Sequence, residues 1–462
     1  MKRFISVVTF LILTASLLLT GCSGELDRDA ELKEAFNSIE DDISATFNKD
    51  TCDFDLLQDF LKSWSKNSDI EVISTAKGYS VLVNPATEGF EKADITTLQC
   101  SINTDDAEHS LKVLASALTA LLGPYEHGDI RLIVTEFTGG ERIGAANVDD
   151  KWLSGDNFIN MQYSGTTSIY TSGPDSMNCS IQVESEPVAP AYGNAYAITM
   201  SMTEYADPFN FEKKSNYPNP IGVIGSMLAT QKSAGRLFEV ASFTAKAHEG
   251  YTPYTATAVV VIDSNNVENF TKRFDKSYSN MEDRFDELGD DFVYTMTETE
   301  MPDQVLRQRT ADNLISLMYT LNTGICYQDE DSGLVLASAY IKSISTGEGA
   351  LKVNLNIRAR GTENLDELSR EYEVTSGLCD MYYSTEEPFK TWTSSSGSDM
   401  ATFFSELVPL AEGDSNITLK SYDNDIFASK NPKLNMISYT FEDDDSLRAA
   451  LNIVHYMDQE RN

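Results

Sequence analysis

Four histidines, His109, His127, His248 and His455, are all the imidazole this chain of 462 residues holds. Any zinc or acid–base centre must therefore draw on these few, or on Asp, Glu and Cys. One such group that includes an imidazole is Asp105, Asp106, Glu108 and His109. It reads either as a metal-ligand set or as the charged first turn of a helix, where acids favour the positive end of the dipole. Glu136 and Glu141 bracket the stretch Phe137-Thr138-Gly139-Gly140, which is glycine-rich but has no Lys-Ser/Thr to cradle a phosphate. Glu442-Asp443-Asp444-Asp445 lacks the alternating donors, Gly and distal Glu of a calcium loop, and reads as the acidic first turn of the last helix. His127 and His248 fall in Pro/Gly-flanked loops and are expected to be solvated. No nucleophile elbow or dinucleotide fingerprint is present.

These groups need elements to hold them. Leu56, Leu57, Phe60, Leu61 and Trp64 recur at helical spacing, which predicts an amphipathic helix over about 52–66. Strands are expected at 70–74, 79–83, 95–98, 130–135 and 157–161, with a helix over about 106–122. This alternation points to an α/β layer with a largely parallel sheet. The middle of the chain changes character: strands at 196–202, 238–245, 255–262, 292–297, 334–344 and 351–357 surround a long helix at 267–288. The apolar/polar alternation at 334–344 and 351–357 marks a sheet with one solvated face. A Ser/Gly-rich connector at 393–398 leads back to helix, strand and helix, with strands at 417–420 and 436–440. The plan is one α/β domain, 30–193 and 389–462, interrupted by an α+β domain at 194–388.

Lys2 and Arg3 precede the apolar run Phe4–Leu19, which ends in Leu19-Thr20-Gly21-Cys22. A charged start, a short apolar run and small residues at the cut form a secretory signal, residues 1–21, too short for a stable transmembrane helix. The last four residues resemble the bacterial lipobox, whose cysteine is acylated. Cys22 is thus the expected lipid attachment, 22–29 a polar tether, and the mature chain extracytoplasmic and membrane-held. Loss of Lys2 and Arg3 takes the formal charge from -37 to -39. So acidic a surface repels phosphate and argues against nucleic acid, while favouring cationic ligands. Five cysteines remain, none in a Cys-x-x-Cys pair, which supports buried thiols with at most one or two disulfides.

Four ordered segments carry a resemblance. Gly144-Ala145-Ala146-Asn147-Val148-Asp149 with Leu153-Ser154-Gly155-Asp156-Asn157-Phe158-Ile159-Asn160 resembles the Gly-Ala-Phe-Asn-Leu-Asp … Leu-x-Gly-Asp-x-Leu-Ile-Asn run of the aminoacyl-histidine (Xaa-His) dipeptidases, in the carnosinase-like branch of the co-catalytic zinc exopeptidases. Asn84–Glu91 is similar to that family's Lys-Pro-Ala-Thr-x-Gly-Tyr-Glu segment. Ile426–Pro432 with Met436-Ile437-Ser438 is similar to its Gly-Leu-Phe-Ser-Glu-Lys-x-Pro … Met-Ile-Ser segment. The resemblance implies a zinc-exopeptidase-like α/β domain with an inserted α+β lid, and relatives that pair through the lid.

The same comparison implies a damaged site. Leu98-Gln99-Cys100-Ser101-Ile102-Asn103 aligns with Leu-Gln-Gly-His-Met-Asp, so the first metal ligand becomes Ser101 and its supporting acid Asn103. The Glu-Glu pair, general base then ligand, falls on Thr138 and Gly139, and a ligand Asp falls on Gln162. The final ligand His has no counterpart in 437–454, and the lid's Gly-Gly-His-Ser-Gly is missing from Thr203–Pro208. The expectation is a catalytically silent relative with no cofactor, binding a peptide or cationic small molecule. The competing expectation is a divergent zinc-dependent dipeptidase rebuilt around Asp105, Asp106, His109, Glu136 and Glu141.

Overall fold

The Asp53 carboxylate accepts the backbone N–H groups of Asp55 at 2.9 Å and Leu56 at 3.2 Å, which starts a helix over Phe54–Trp64 where the apolar spacing places one. This is a computed structural model, and it describes residues 24–48, 50–138, 141–202, 218–246, 255–284, 292–347, 349–408, 415–420 and 423–459. The signal segment, Cys22, Gly139, His248 and the stretch 203–208 lie outside the described residues.

In chain order the first unit comprises α1 (Gly24–Thr46), α2 (Phe54–Trp64), β1 (Glu71–Thr75), β2 (Tyr79–Asn84), β3 (Thr96–Asn103), α3 (Glu108–Leu121), β4 (Ile130–Phe137), α4 (Ile143–Asn147), β5 (Asn157–Tyr163) and β6 (Ser168–Tyr170). Its strands form one sheet in the order β1-β2-β4-β3-β5-β17-β6, where β17 (Met436–Phe441) returns from the far end of the sequence. Strands β4, β3, β5 and β17 are parallel; β1, β2 and β6 are antiparallel edges. The sheet is thus mixed, with a parallel centre. Alternation along β3 explains its burial on both sides: Leu98, Cys100 and Ile102 enter the core under α3, while Gln99, Ser101 and Asn103 take the other face.

The polar tether expected at 22–29 is already helical from Gly24. Leu32, Phe36, Ile39 and Ile43 of α1 fall at helical spacing and are all buried against the core that includes α3. Burial of that stripe is what holds an otherwise charge-rich segment in a helix.

The second unit comprises β7 (Asp175–Glu184), β8 (Asn194–Met202), α5 (Pro220–Ser233), β9 (Phe238–Lys246), β10 (Thr255–Ile262), α6 (Val267–Arg284), β11 (Phe292–Glu298), α7 (Gln308–Thr320), β12 (Gly324–Gln328), β13 (Val335–Gly347), β14 (Ala350–Ala359), α8 (Thr362–Leu378), β15 (Tyr382–Thr385) and β16 (Phe389–Lys390). They build an antiparallel sheet in the order β11-β8-β10-β9-β13-β14-β7-β15, with β12 on β13 and β16 on β7. The boundary expected at 194 lies earlier, because β7 pairs along its whole length with β14. The chain then returns through α9 (Asp399–Leu407), α10 (Asp423–Lys430), β17 and α11 (Ser446–Gln459). Instead of a strand at 417–420, only an isolated bridge joins Ile417 to Ser172. Cys52, Cys100, Cys179, Cys326 and Cys379 are all free thiols. Among the described residues, no helix is long and apolar enough to cross a membrane.

Candidate functional site

Parallel strands end at one edge of a sheet, and ligands of open α/β sheets bind outside that edge. Here the edge carries the positions that the family resemblance singles out. Ser101 and Asn103 stand on the last turn of the pleat in β3, with Thr135 and Phe137 of β4 beside them in register. Thr138 follows β4 and bridges to Glu141, and Gln162 is near the end of β5, opposite Thr440. The fold therefore gathers Ser101, Asn103, Thr138 and Gln162 at one place. Their donors are hydroxyls and carboxamides. Zinc needs imidazole, thiolate or carboxylate, so this donor set does not fit a dinuclear zinc centre.

The acids and imidazole nearby do not converge either. Among the described residues, no group of three or more His, Cys, Asp or Glu is placed to hold a metal ion. His109 turns away from Asp105 and Asp106: its Nδ1 lies 3.0 Å from Asp443, and its ring stacks on Tyr163 with centroids 3.7 Å apart. Lys112 meets the same Asp443 carboxylate at 3.3 Å. The acidic turn at Asp443–Asp445 thus opens the last helix, as expected, and also receives side chains from α3. Glu136 alternates onto the face opposite Thr135; burial there, reinforced by Asp55, Asp105 and Asp53, pushes its carboxyl above the usual range. Glu141 is exposed. His127, expected to be solvated, is instead buried, with Nδ1 2.7 Å from the Gly128 carbonyl, because the loop folds over Gly123 and Thr87.

Beneath the strand-end edge runs a buried polar ladder that no local sequence pattern announces. Gln99 on β3, Asn160 on β5 and Ser438 on β17 occupy neighbouring register positions. Ser438 donates to Asn160 at 3.0 Å and Asn160 donates to Gln99. The Gln99 amide in turn donates to Asp423 at the start of α10 at 2.8 Å, as does the Thr135 hydroxyl at 2.8 Å. Burial pushes the Asp423 carboxyl up; Arg142, 3.7 Å away, and the two donors oppose that shift.

The retained motif segments are the joints of this frame. Lys430 Nζ fills the carbonyl end of α4, 2.7 Å from Ala146 O and Val148 O and 3.2 Å from Ala145 O. The Asn431 amide donates to Leu153 O at 2.7 Å, and Asp156 accepts the Ile95 N–H at 2.9 Å. In the 84–91 segment, the Ala86 N–H reaches Asp129 at 2.9 Å. Gly144 has a steric reason of its own: a Cβ there would lie 2.2 Å from Gly78 O and 2.4 Å from Glu136 N.

Of these joints, Ala146, Lys430 and Asn431 line a cleft of about 990 Å³ between the two sheets. Its charge departs from that of the whole chain. Arg142, Lys342, Arg358, Lys390 and Lys430 line it, against Glu141 and Asp425. Arg358 is engaged by Asp425 at 3.5 Å and Leu419 O at 3.1 Å, and Lys390 by Asp175 at 3.6 Å. Lys342 of β13 is half-buried; its ammonium donates to the neutral Asn178 Oδ1 at 3.3 Å, and among the described residues it forms no ion pair.

Comparison with known proteins gives a likeness of fold. The aminoacylhistidine dipeptidase of Vibrio alginolyticus superposes over 93% of this chain and 96% of its own, with a TM-score of 0.50 and 16% identity. A tripeptidase from Staphylococcus aureus covers 94% and 99%, at TM-score 0.47 and 10% identity, and human carnosine dipeptidase 1 covers 95% and 99%, at 0.38 and 7%. No protein-family model and no curated protein matches the chain. The two-sheet α/β architecture, a catalytic-type unit with an inserted lid unit, is that of the dipeptidase fold.

Proposed function

We propose that this chain is a lipid-anchored, extracytoplasmic binding protein on a dipeptidase-type fold, without metal-dependent hydrolysis, whose inter-unit cleft takes a short peptide or a similar small ligand. The observation that carries the reading is the set of hydroxyl and amide side chains, Ser101, Asn103, Thr138 and Gln162, at the strand-end edge, beside motif segments kept as structural joints. Among the described residues, thiol, imidazole and carboxylate groups that would rebuild a zinc site do not converge there.

The acidic surface favours a cationic ligand at long range. The cleft itself favours an anionic group, since its lining cations outnumber its acids and, among the described residues, Lys342 meets a neutral amide and no carboxylate. A peptide satisfies both, with its carboxylate in the cleft and its amine or a basic side chain toward the outside.

Metal analysis of purified residues 24–462, with peptide hydrolysis measured with and without chelator, tests the reading. The expected outcome is no stoichiometric zinc, no chelator-sensitive hydrolysis, and a rise in melting temperature with a bound peptide, because a ligand that binds only the folded state stabilises it. About two zinc ions per chain with chelator-sensitive hydrolysis, the dinuclear pattern, would establish the rebuilt dipeptidase instead.

A further inference from the structure

We propose that the anchored chain stands on the membrane by the edge of the first sheet where its parallel strands begin, so that the strand-end edge, with Asn103, Thr138 and Gln162, faces away from the bilayer. The inference rests on the lipid attachment at Cys22 stated above.

Its first support is the shortness of the leash. Cys22 precedes Arg28 by six residues, a span of at most ~21 Å fully extended, and the chain is helical from Gly24. Arg28 is fixed: Nε lies 3.0 Å from Gly123 O, one terminal nitrogen 2.9 Å from Leu122 O, and the guanidinium 5.0 Å from the Tyr125 ring centroid. Asp29 pairs with His455 near the end of α11 at 2.9 Å, and Leu32 is wholly buried. Any lipid on Cys22 is therefore held close to the loop that follows α3.

The second support is topological. That loop feeds β4 at Ile130, and the parallel neighbours of β4 begin at the same edge, at Thr96 and Asn157. Asn103, Thr138 and Gln162 lie at the opposite edge, about 26 Å away along an eight-residue strand. Helix α1 itself runs from one edge to the other: just past its end, the Cys52 N–H bonds Thr104 O, next to Asn103. The His109–Asp443 contact closes the far edge and the His455–Asp29 contact the near one.

The third support is the chemistry of the near edge. Tyr125 is 44% exposed at the tip of the loop, and an amphipathic aromatic ring suits the headgroup layer. The neighbouring exposed residue is an acid, Glu126, so acyl chains rather than charge must hold this edge against an anionic bilayer.

The experiment uses the full-length lipidated chain in phosphatidylcholine–phosphatidylglycerol vesicles carrying nitroxide-labelled lipid. A fluorophore is placed at Glu126→Cys or at Asp106→Cys, two exposed acids at opposite edges. Unsubstituted protein supplies the background from the native thiols, of which, among the described residues, only Cys326 is not buried. The expected result is loss of most of the emission at position 126 and little at position 106. Equal quenching, or the reverse order, on vesicle-bound protein overturns the orientation and leaves the anchor standing. Failure of the full-length chain to float with vesicles overturns the anchor, and the orientation with it.

Discussion

The side-chain amide of Gln99 donates to the carboxylate of Asp423 at 2.8 Å, across 324 residues of sequence and from the middle of β3 to the first residue of α10. That bond ties the returning C-terminal segment to the strand whose end carries Ser101 and Asn103. It also explains why a carboxylate tolerates complete burial: Thr135 supplies a second donor and Arg142 a nearby charge.

Removing that acceptor should be costly. Asp423→Ala takes an acceptor from Gln99 and Thr135, leaving these donors only their bonds to each other and to the Cys100 carbonyl, and takes the buried charge facing Arg142, for an expected loss of about 3 kcal/mol in urea unfolding. Because burial raises the Asp423 carboxyl, the folded state holds this proton more tightly than the unfolded chain. Its contribution is full below the ordinary carboxylate value and is lost as pH rises through the raised one. Asp423→Asn should remove that part of the pH dependence. A wild-type and Asp423→Asn pair with parallel stability curves between acid and neutral pH would refute the assignment.

Gly144→Ala should destabilise by about 3 kcal/mol, since the new methyl meets backbone atoms that cannot swing aside. The same substitution should leave ligand affinity of the folded fraction unchanged, because Gly144 acts through packing. A stable Gly144→Ala protein would mean that the motif is kept for a reason other than the α4 joint.

Much of the frame was legible because burial imposes periodicity. Leu98, Cys100 and Ile102 alternate, Leu57 and Leu61 recur at helical spacing, and the elements built on them stand where the pattern puts them. Helix α1 is less legible, because its Leu32, Phe36, Ile39 and Ile43 carry the spacing but are diluted by acids and follow an expected cleavage site. Helix α10, at eight residues, is too short for a period to show. The strand-end substitutions were visible as residue types at aligned positions. The Gln99–Asp423 bond and the cationic cleft were not, because each is assembled from segments far apart in sequence, and no local pattern encodes which distant side chain a buried amide will meet.

His127 supplies a pH prediction of opposite sign. Burial chiefly, with Arg28 nearby, holds its imidazole below the ordinary value, against the pull of the Gly128 carbonyl and Asp129. The unfolded chain therefore takes up this proton first, and stability falls as pH drops from about 6.5 toward the lower folded value. In His127→Gln that segment of the slope should flatten, measured as the urea midpoint between pH 7.5 and 5. Identical slopes in the two proteins would place the titration elsewhere.

The cleft prediction rests on Lys342. Its ammonium faces Asn178 Oδ1 rather than a carboxylate, so a ligand's anionic group can pair with it without displacing an existing partner. Lys342→Met keeps the apolar stem and removes the charge, and should weaken binding of a peptide with a free carboxylate by about tenfold, or roughly 1.4 kcal/mol. The amidated form of the same peptide should bind wild type and Lys342→Met alike, and melting temperatures without ligand should agree closely, since no ion pair is lost. Titration calorimetry with both peptides separates the possibilities. An equal loss for the free and amidated peptides would show that Lys342 shapes the wall of the cleft without reading the charge of what enters it.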